Sequence, residues 1–336
     1  MTAHIKWWVI GALVPIMVLA CLTIGRTNLG VSAVLAALGS ILGLGAAADP
    51  FLAPVVLHAR LPRTLMAMVA GAGLSASGSA LQGCFRNPLV GPQTIGVLSG
   101  AGFGGSLAIF FALDLLPTIA GAFVFGVVAT LFVVWLGRFS GHSSILMLVL
   151  AGIVVGAFFA AGTSLLQYIA DPERELPQLV FWLMGSFSTA NMVTLGWMVG
   201  PVLLGVGILW AFGLRINVLS GGEDEARALG VRVERDRTLI LGVVAAICAS
   251  IVSVAGIVGW VGLVVPHMAR SLVGPDHRKL IPASACLGAA FLTAVDTMSR
   301  SLTPAEIPIG AITAFIGAPV FVAILYKYYA SGWHDD

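Results

Sequence analysis

Charge is what this sequence most lacks. Only 10% of its 336 residues are Asp, Glu, Lys or Arg, against 59% hydrophobic, whereas a water-facing domain carries about 25% charged residues. So long a chain with so little charge cannot clothe a soluble globule, and its mean hydropathy of +1.02 makes lipid its solvent. A formal net charge of +2 gives nucleic acid no electrostatic footing. Cysteine is scarce too. Cys21, Cys84, Cys248 and Cys286 sit in apolar runs without metal-ligand or disulfide spacing, so they read as small hydrophobes. No G-x-x-x-x-G-K-[ST] occurs, which excludes nucleotide binding by a P-loop. Nor do His, Asp and Glu cluster at one membrane depth, as a membrane-embedded enzyme would require. Low-complexity linkers and large soluble insertions are also missing, which leaves one all-α transmembrane domain over residues 1–336.

What is present is a series of apolar runs long enough to cross a bilayer. They fall near 5–25, 62–84, 94–113, 118–137, 144–169, 191–213, 238–255, 256–272, 280–300 and 308–328. The first has Lys6 at its head and looks like the apolar part of a signal peptide. Its length of about 20 residues and the spans that follow favour a retained crossing. The eighth is short and holds Pro266, tolerable where neighbouring helices re-satisfy the freed carbonyl.

Counting cations fixes an orientation. With ten spans and the N-terminus inside, the inner loops hold Lys6, Arg86, Arg138, Arg215, Arg227, Arg232, Arg235, Arg237, Arg270, Arg278, Lys279 and Lys327. The outer ones hold Arg26, Arg60, Arg63, Arg174 and Arg300. This bias places both termini inside, and dropping the eighth span would weaken it. The 41 glycines recur within the spans, at Gly71, Gly73 and Gly78 and through Ser99–Ser106. No strand precedes the latter and no Lys-Ser or Lys-Thr follows, so it reads as a close helix contact rather than a nucleotide loop. Leu-Val-Gly-Pro occurs at both 89–92 and 272–275, too short a match to be a repeat.

The longest polar stretch, residues 214–237, lies inside on this orientation. Ser220 or Gly222 can cap a short helix there, Glu223, Asp224 and Glu225 complement its N-terminal dipole, and Gly230 suits a left-handed C-cap. It is either a solvated loop or a docking helix for a cytoplasmic partner. At the outer side, Arg60 and Arg63 head the second span. Asp296 lies one helical turn below Arg300 on the same face, where a carboxylate in lipid needs a partner; a structural Asp296–Arg300 pair is expected. His267, alone near the end of span eight, reads as structural.

Read together, Arg60-Leu-Pro-Arg63, Arg86-Asn-Pro-Leu-Val-Gly-Pro92, Phe181-Trp-Leu-Met-Gly-Ser186, Gly222-Glu-Asp-Glu-Ala226, Ala228-Leu-Gly-Val231 and Gly256-Ile-Val-Gly-Trp-Val-Gly-Leu-Val-Val-Pro-His-Met-Ala-Arg270 form an ordered array. It continues through Asp276-His-Arg278, Ala294-Val-Asp-Thr-Met-Ser-Arg300, Glu306-Ile-Pro-Ile-Gly310 and Gly317-Ala-Pro319. This array resembles the FecCD-type permeases, the membrane subunits of ABC importers for ferric siderophores, haem and cobalamin. The resemblance implies a homodimer with ten spans per subunit in the bacterial inner membrane and a path along the dimer axis. It also implies two ATPase subunits below, which hold ATP and Mg so that this chain carries no cofactor, and a periplasmic binding protein above. By resemblance, Gly222 to Gly230 is the helix gripped by the ATPase, with Glu223, Glu225, Ala226, Leu229 and Gly230 as its contacts. Arg60, Arg63 and Arg300 match the arginines that meet glutamates of the binding protein. Snorkelling of these arginines at a helix end is the reading that needs no partner.

An iron complex is the expected cargo, with cobalamin or an oxyanion as alternatives. An ion-coupled secondary transporter would need intramembrane ionisable groups. Between Arg63 and Asp171 only Arg86, Asp114 and Arg138 are charged, all near span ends.

Overall fold

In the computed structural model the description covers residues 3–25, 27, 29–41, 43, 49–138 and 145–330. Arg26 of the cation count and Ser144 at the head of the fifth predicted span lie outside it. Among the described residues the chain is helical without strands. The helices are α1 (Ala3–Thr23), α2 (Val31–Ile41), α3 (Leu52–Cys84), α4 (Val97–Phe110), α5 (Leu115–Gly137), α6 (Ile145–Ile169), α7 (Glu175–Leu183), α8 (Met192–Ala211), α9 (Gly213–Gly221), α10 (Glu223–Ala228), α11 (Val233–Ala255), α12 (Val261–Val273), α13 (His277–Ser301) and α14 (Ile309–Ala330).

Six of these, α3, α5, α6, α8, α11 and α13, are long and apolar enough to cross a membrane. The other four predicted spans coincide with α1, α4, α12 and α14. At 14 and 13 residues, α4 and α12 are shorter than the roughly 20 residues a bilayer requires. Non-helical backbone at that depth survives only where protein satisfies it. Ahead of α12 this is done by cross-bonding. Ser186 N donates to Ala255 O at 2.8 Å, Ile309 N to Gly185 O at 3.0 Å, and Gly310 N to Met184 O at 3.1 Å, so the break after α11 is tied to the end of α7 and the start of α14. Gly256 sits there at φ +69°, where a Cβ would meet Trp182 O at 2.1 Å. Only glycine fits that position.

α3 and α13 form the centre of the bundle. A Cβ on Gly71 would stand 2.1 Å from Gly288 O, and one on Gly78 only 1.7 Å from Gly262 O of α12. Without side chains at these points the backbones close to packing distance. The Gly-rich run of α4 packs likewise against α5, with Gly104 set 2.3 Å from Gly121 O by the same measure. Its glycines are thus a helix interface, as read from the sequence. Burial grades outward, from 83% of the apolar window of α3 to 28% of that of α6. The outer face of α6 shows Leu146, Leu150, Ile153, Val154 and Phe158, a surface that only lipid or another apolar body can solvate. All four cysteines are free thiols, and three are buried.

Three elements depart from the sequence reading. The second span begins ten residues early, at Leu52, through a π-helical stretch Val55–Arg60 that delivers Arg60 to the bundle interior. The stretch between the first two spans carries α2, and α9 continues α8 beyond Ala211.

Candidate functional site

Charged side chains gather at the two ends of the bundle. At the outer end, Arg63 on α3 is held from two sides. Its Nε donates to Asp296 Oδ1 at 2.9 Å and its two terminal nitrogens to Glu306 Oε1 and Oε2 at 2.8 and 3.0 Å. The planar guanidinium fork suits such a double bite. The Asp296 side chain is 2% exposed and that of Glu306 25%.

Arg300 Nε lies 3.7 Å from Asp296 Oδ2. Asp296 therefore belongs to a network in which Arg63 is the nearer partner, a role the sequence spacing could not show. Arg300 also donates to Cys21 O. Arg60 donates to Leu22 O at 2.7 Å, to Thr23 O at 3.1 Å and to Thr27 O. The carbonyls of Cys21, Leu22 and Thr23 belong to the last turn of α1, where a helix lacks its own donors, so two arginines close the negative end of α1. Gly25 allows it, since a Cβ there would stand 2.8 Å from Arg60 Nη2 and 3.1 Å from Arg300 Nη1. None of the three guanidiniums expected to meet a partner projects freely outward. Arg60 and Arg300 are buried and the Arg63 side chain is 12% exposed. Snorkelling does not describe them either, because they point into the protein.

At the inner end, α9 and α10 form an elbow under the spans. The turn between them is made by Gly222 at φ +152°, and α10 ends at Gly230 with φ +78°, the left-handed C-cap expected there. Of the five residues read as partner contacts, Glu225, Leu229 and Gly230 are exposed, Leu229 by 70%. Ala226 is fully buried. Its methyl packs into this chain's own core, so no partner can reach it and its assignment as a contact is corrected.

Glu223 also turns inward. Its Oε1 accepts from Arg237 at 2.7 Å and its Oε2 from Arg227 at 3.3 Å. Partial burial works to raise its carboxyl, but the hydrogen bond and charge of Arg237, with Arg227 and Arg86, hold it below the ordinary range. Arg86, Gly221, Gly222, Asp224 and Glu225 line an open polar cleft of about 430 Å³ beside it.

The elbow is fastened at further points that the sequence did not disclose. Asp236, next to Arg237 in the first turn of α11, lies 3.2 Å from Arg215 of α9. Asn217 of α9 donates to Asp276 Oδ1 at 2.7 Å and accepts from His277 N at 2.8 Å, tying α9 to the head of α13. Asp276 in turn takes Arg278 at 2.8 Å, and the Arg278 and Asn217 hydrogen bonds hold its carboxyl well below the usual range. Its only early signal was the motif Asp276-His-Arg278. Among the described residues no three His, Cys, Asp or Glu converge to hold a metal ion.

Comparison with known proteins gives a consistent outcome. The model of the FecCD transport family matches residues 13–327. The molybdate import system permease protein of Haemophilus influenzae is 44% identical over 96% of this chain and 96% of its own length. The hemin transport system permease protein of Yersinia pestis is 38% identical over 81% of this chain and 83% of its own. A solved inward-facing ABC transporter of the metal-chelate type superposes with a TM-score of 0.87 at 43% identity, covering 97% of this chain and 100% of that one.

Proposed function

The chain belongs to the FecCD transport family and is the permease of an ABC importer, and from that premise we propose how energy and cargo enter it. An importer of this kind works with an ATPase and a binding protein, and the permease itself is a multi-pass membrane protein. We infer a homodimer in a bacterial inner membrane, with two ATPase subunits below and one binding protein above. ATP and Mg belong to the ATPase, and this subunit has no catalytic role. The observation that carries the reading is α10, where Glu225, Leu229 and Gly230 stand exposed while Ala226 and Glu223 anchor the same helix to the spans. That face offers a partner an apolar knob and a carboxylate on a fixed base. Closure of the ATPases draws the two α10 helices together and alternates access across the dimer axis. Replacing Leu229 with Asp tests it. ATPase capture and ATP-dependent uptake should fall together while the permease still folds, and unchanged capture would remove α10 as the docking point.

At the outer end the binding protein is proposed to land beside Arg63, whose outer partner Glu306 is the more exposed of its two carboxylates. A docking glutamate must displace Glu306 or join it. Arg60 and Arg300 enter this contact only if they release α1 carbonyls, so they contribute chiefly by holding α1 in place.

For cargo, an oxyanion of the molybdate type is the reading the relatives favour, because the molybdate permease shares 44% identity over nearly the whole length of both chains, against 38% for the hemin one. An iron complex is the second reading, supported by the nearly charge-free spans and by the structural match to a metal-chelate type transporter. Thermal stabilisation of the binding protein by molybdate, by a ferric siderophore, by haem or by cobalamin distinguishes them. A shift with the siderophore and none with molybdate would overturn the first.

A further inference from the structure

A surface helix gripped by a motor can move the spans only through contacts that do not yield, and α10 is joined to the bundle by an unusually placed charge. Arg237 begins α11 in a position where its side chain is 3% exposed. Burying a cation so close to the membrane is costly unless it is paired and hydrogen-bonded. Its carboxylate partner comes from α10, at 2.7 Å from Glu223 Oε1. One ion pair thus joins the coupling helix to the seventh span. The neighbouring tie from Asp236 to Arg215 reaches α9, not α10, and Arg215 is 56% exposed. The contact of Asn217 with Asp276 and His277 likewise serves α9 and the head of α13. The Glu223–Arg237 ion pair, in contrast, ties α10 itself to a span.

We propose that the Glu223–Arg237 pair transmits the displacement of α10 to α11, so that both are positioning residues for ATP-driven transport and not partner contacts. This rests on the reading of α10 as the docking helix. Glu223 fits the part because its other oxygen is held by Arg227 of the same helix, which keeps the carboxylate aligned as α10 moves. With the pair broken, the ATPase would still grip Leu229 and Glu225 and still hydrolyse ATP, but the stroke would bend the elbow at Gly222 instead of tilting the spans.

The test uses the complete importer (permease, its ATPase and its binding protein) in proteoliposomes, with solute transported per ATP hydrolysed as the readout. E223Q keeps the shape of the side chain and removes its charge. We expect this ratio to fall about tenfold, within the range of measured coupling effects, while the ATPase co-purifies at the wild-type ratio. R237K, which preserves the cation, should keep more coupling than R237M. An unchanged ratio in E223Q would overturn the proposal, and so would loss of ATPase capture, because Glu223 would then be a contact residue. L229D separates the two claims. If it leaves capture intact the docking reading fails, whereas normal coupling in E223Q with impaired capture in L229D defeats only the transmission step. Should E223Q fail to accumulate in membranes, E223Q/R237M removes both charges of the buried pair, with the same outcomes expected.

Discussion

At the outer end of the bundle Arg60, Arg63 and Arg300 are all turned inward, onto two carboxylates and the carbonyl end of α1. At the inner end α10 divides its residues, with Ala226 and Glu223 facing the protein and Asp224, Glu225 and Leu229 facing out. The same residue types therefore serve opposite purposes. The outer network knits helix ends that lipid cannot satisfy, whereas the inner helix keeps part of its surface for another molecule. Position in the chain did not tell these apart, but burial does.

Breaking the outer network should have the largest effect on stability. Arg63→Ala leaves the buried Asp296 carboxylate without its main partner, which costs about 3–5 kcal/mol and should appear as poor accumulation or a much lower Tm in detergent. Two glycines sharpen the contrast at smaller cost. Gly25→Ala would push a methyl against Arg60 and Arg300, for about 1–3 kcal/mol of crowding and a loosened α1 in hydrogen exchange. Gly230→Ala meets no neighbour within 4 Å but sits at φ +78°, so it should cost about 1–2 kcal/mol through backbone strain alone and be read in exchange of the α10 amides. Leu229→Asp should change stability by no more than the roughly 0.5 kcal/mol typical of surface substitutions, although uptake is lost.

The smallest effect is that of acid. The folded-state carboxyl of Glu223 is held low, so its contribution is fully present above the ordinary glutamate range and is lost as pH falls through the lowered value. Exchange of the α10 amides should therefore rise only well below pH 4.3 or so, and E223Q should abolish that rise.

Much of this was legible beforehand. Hydropathy placed ten spans that coincide with helices, because lipid demands long apolar runs whatever their partners. The helix 223–228 was also visible, through its acidic first turn and Gly230. Which face of that helix sits down was not. Ala226 in this six-residue helix and Leu229 at its C-cap are both apolar in sequence, and only contact with the core separates them. The networks were hidden for a different reason. Arg63 meets Glu306 across 243 residues of chain and Asp296 across 233, and no periodicity encodes a pairing at that distance. Asp236 and Arg237 looked like two more charges in a polar loop, while α11 starts early enough to bury them.

The most direct test is uptake into vesicles. With the ATPase, the binding protein and ATP present, solute should accumulate, and the permease alone should accumulate none under any proton or sodium gradient. Concentrative uptake by the isolated chain on an ion gradient would contradict the account.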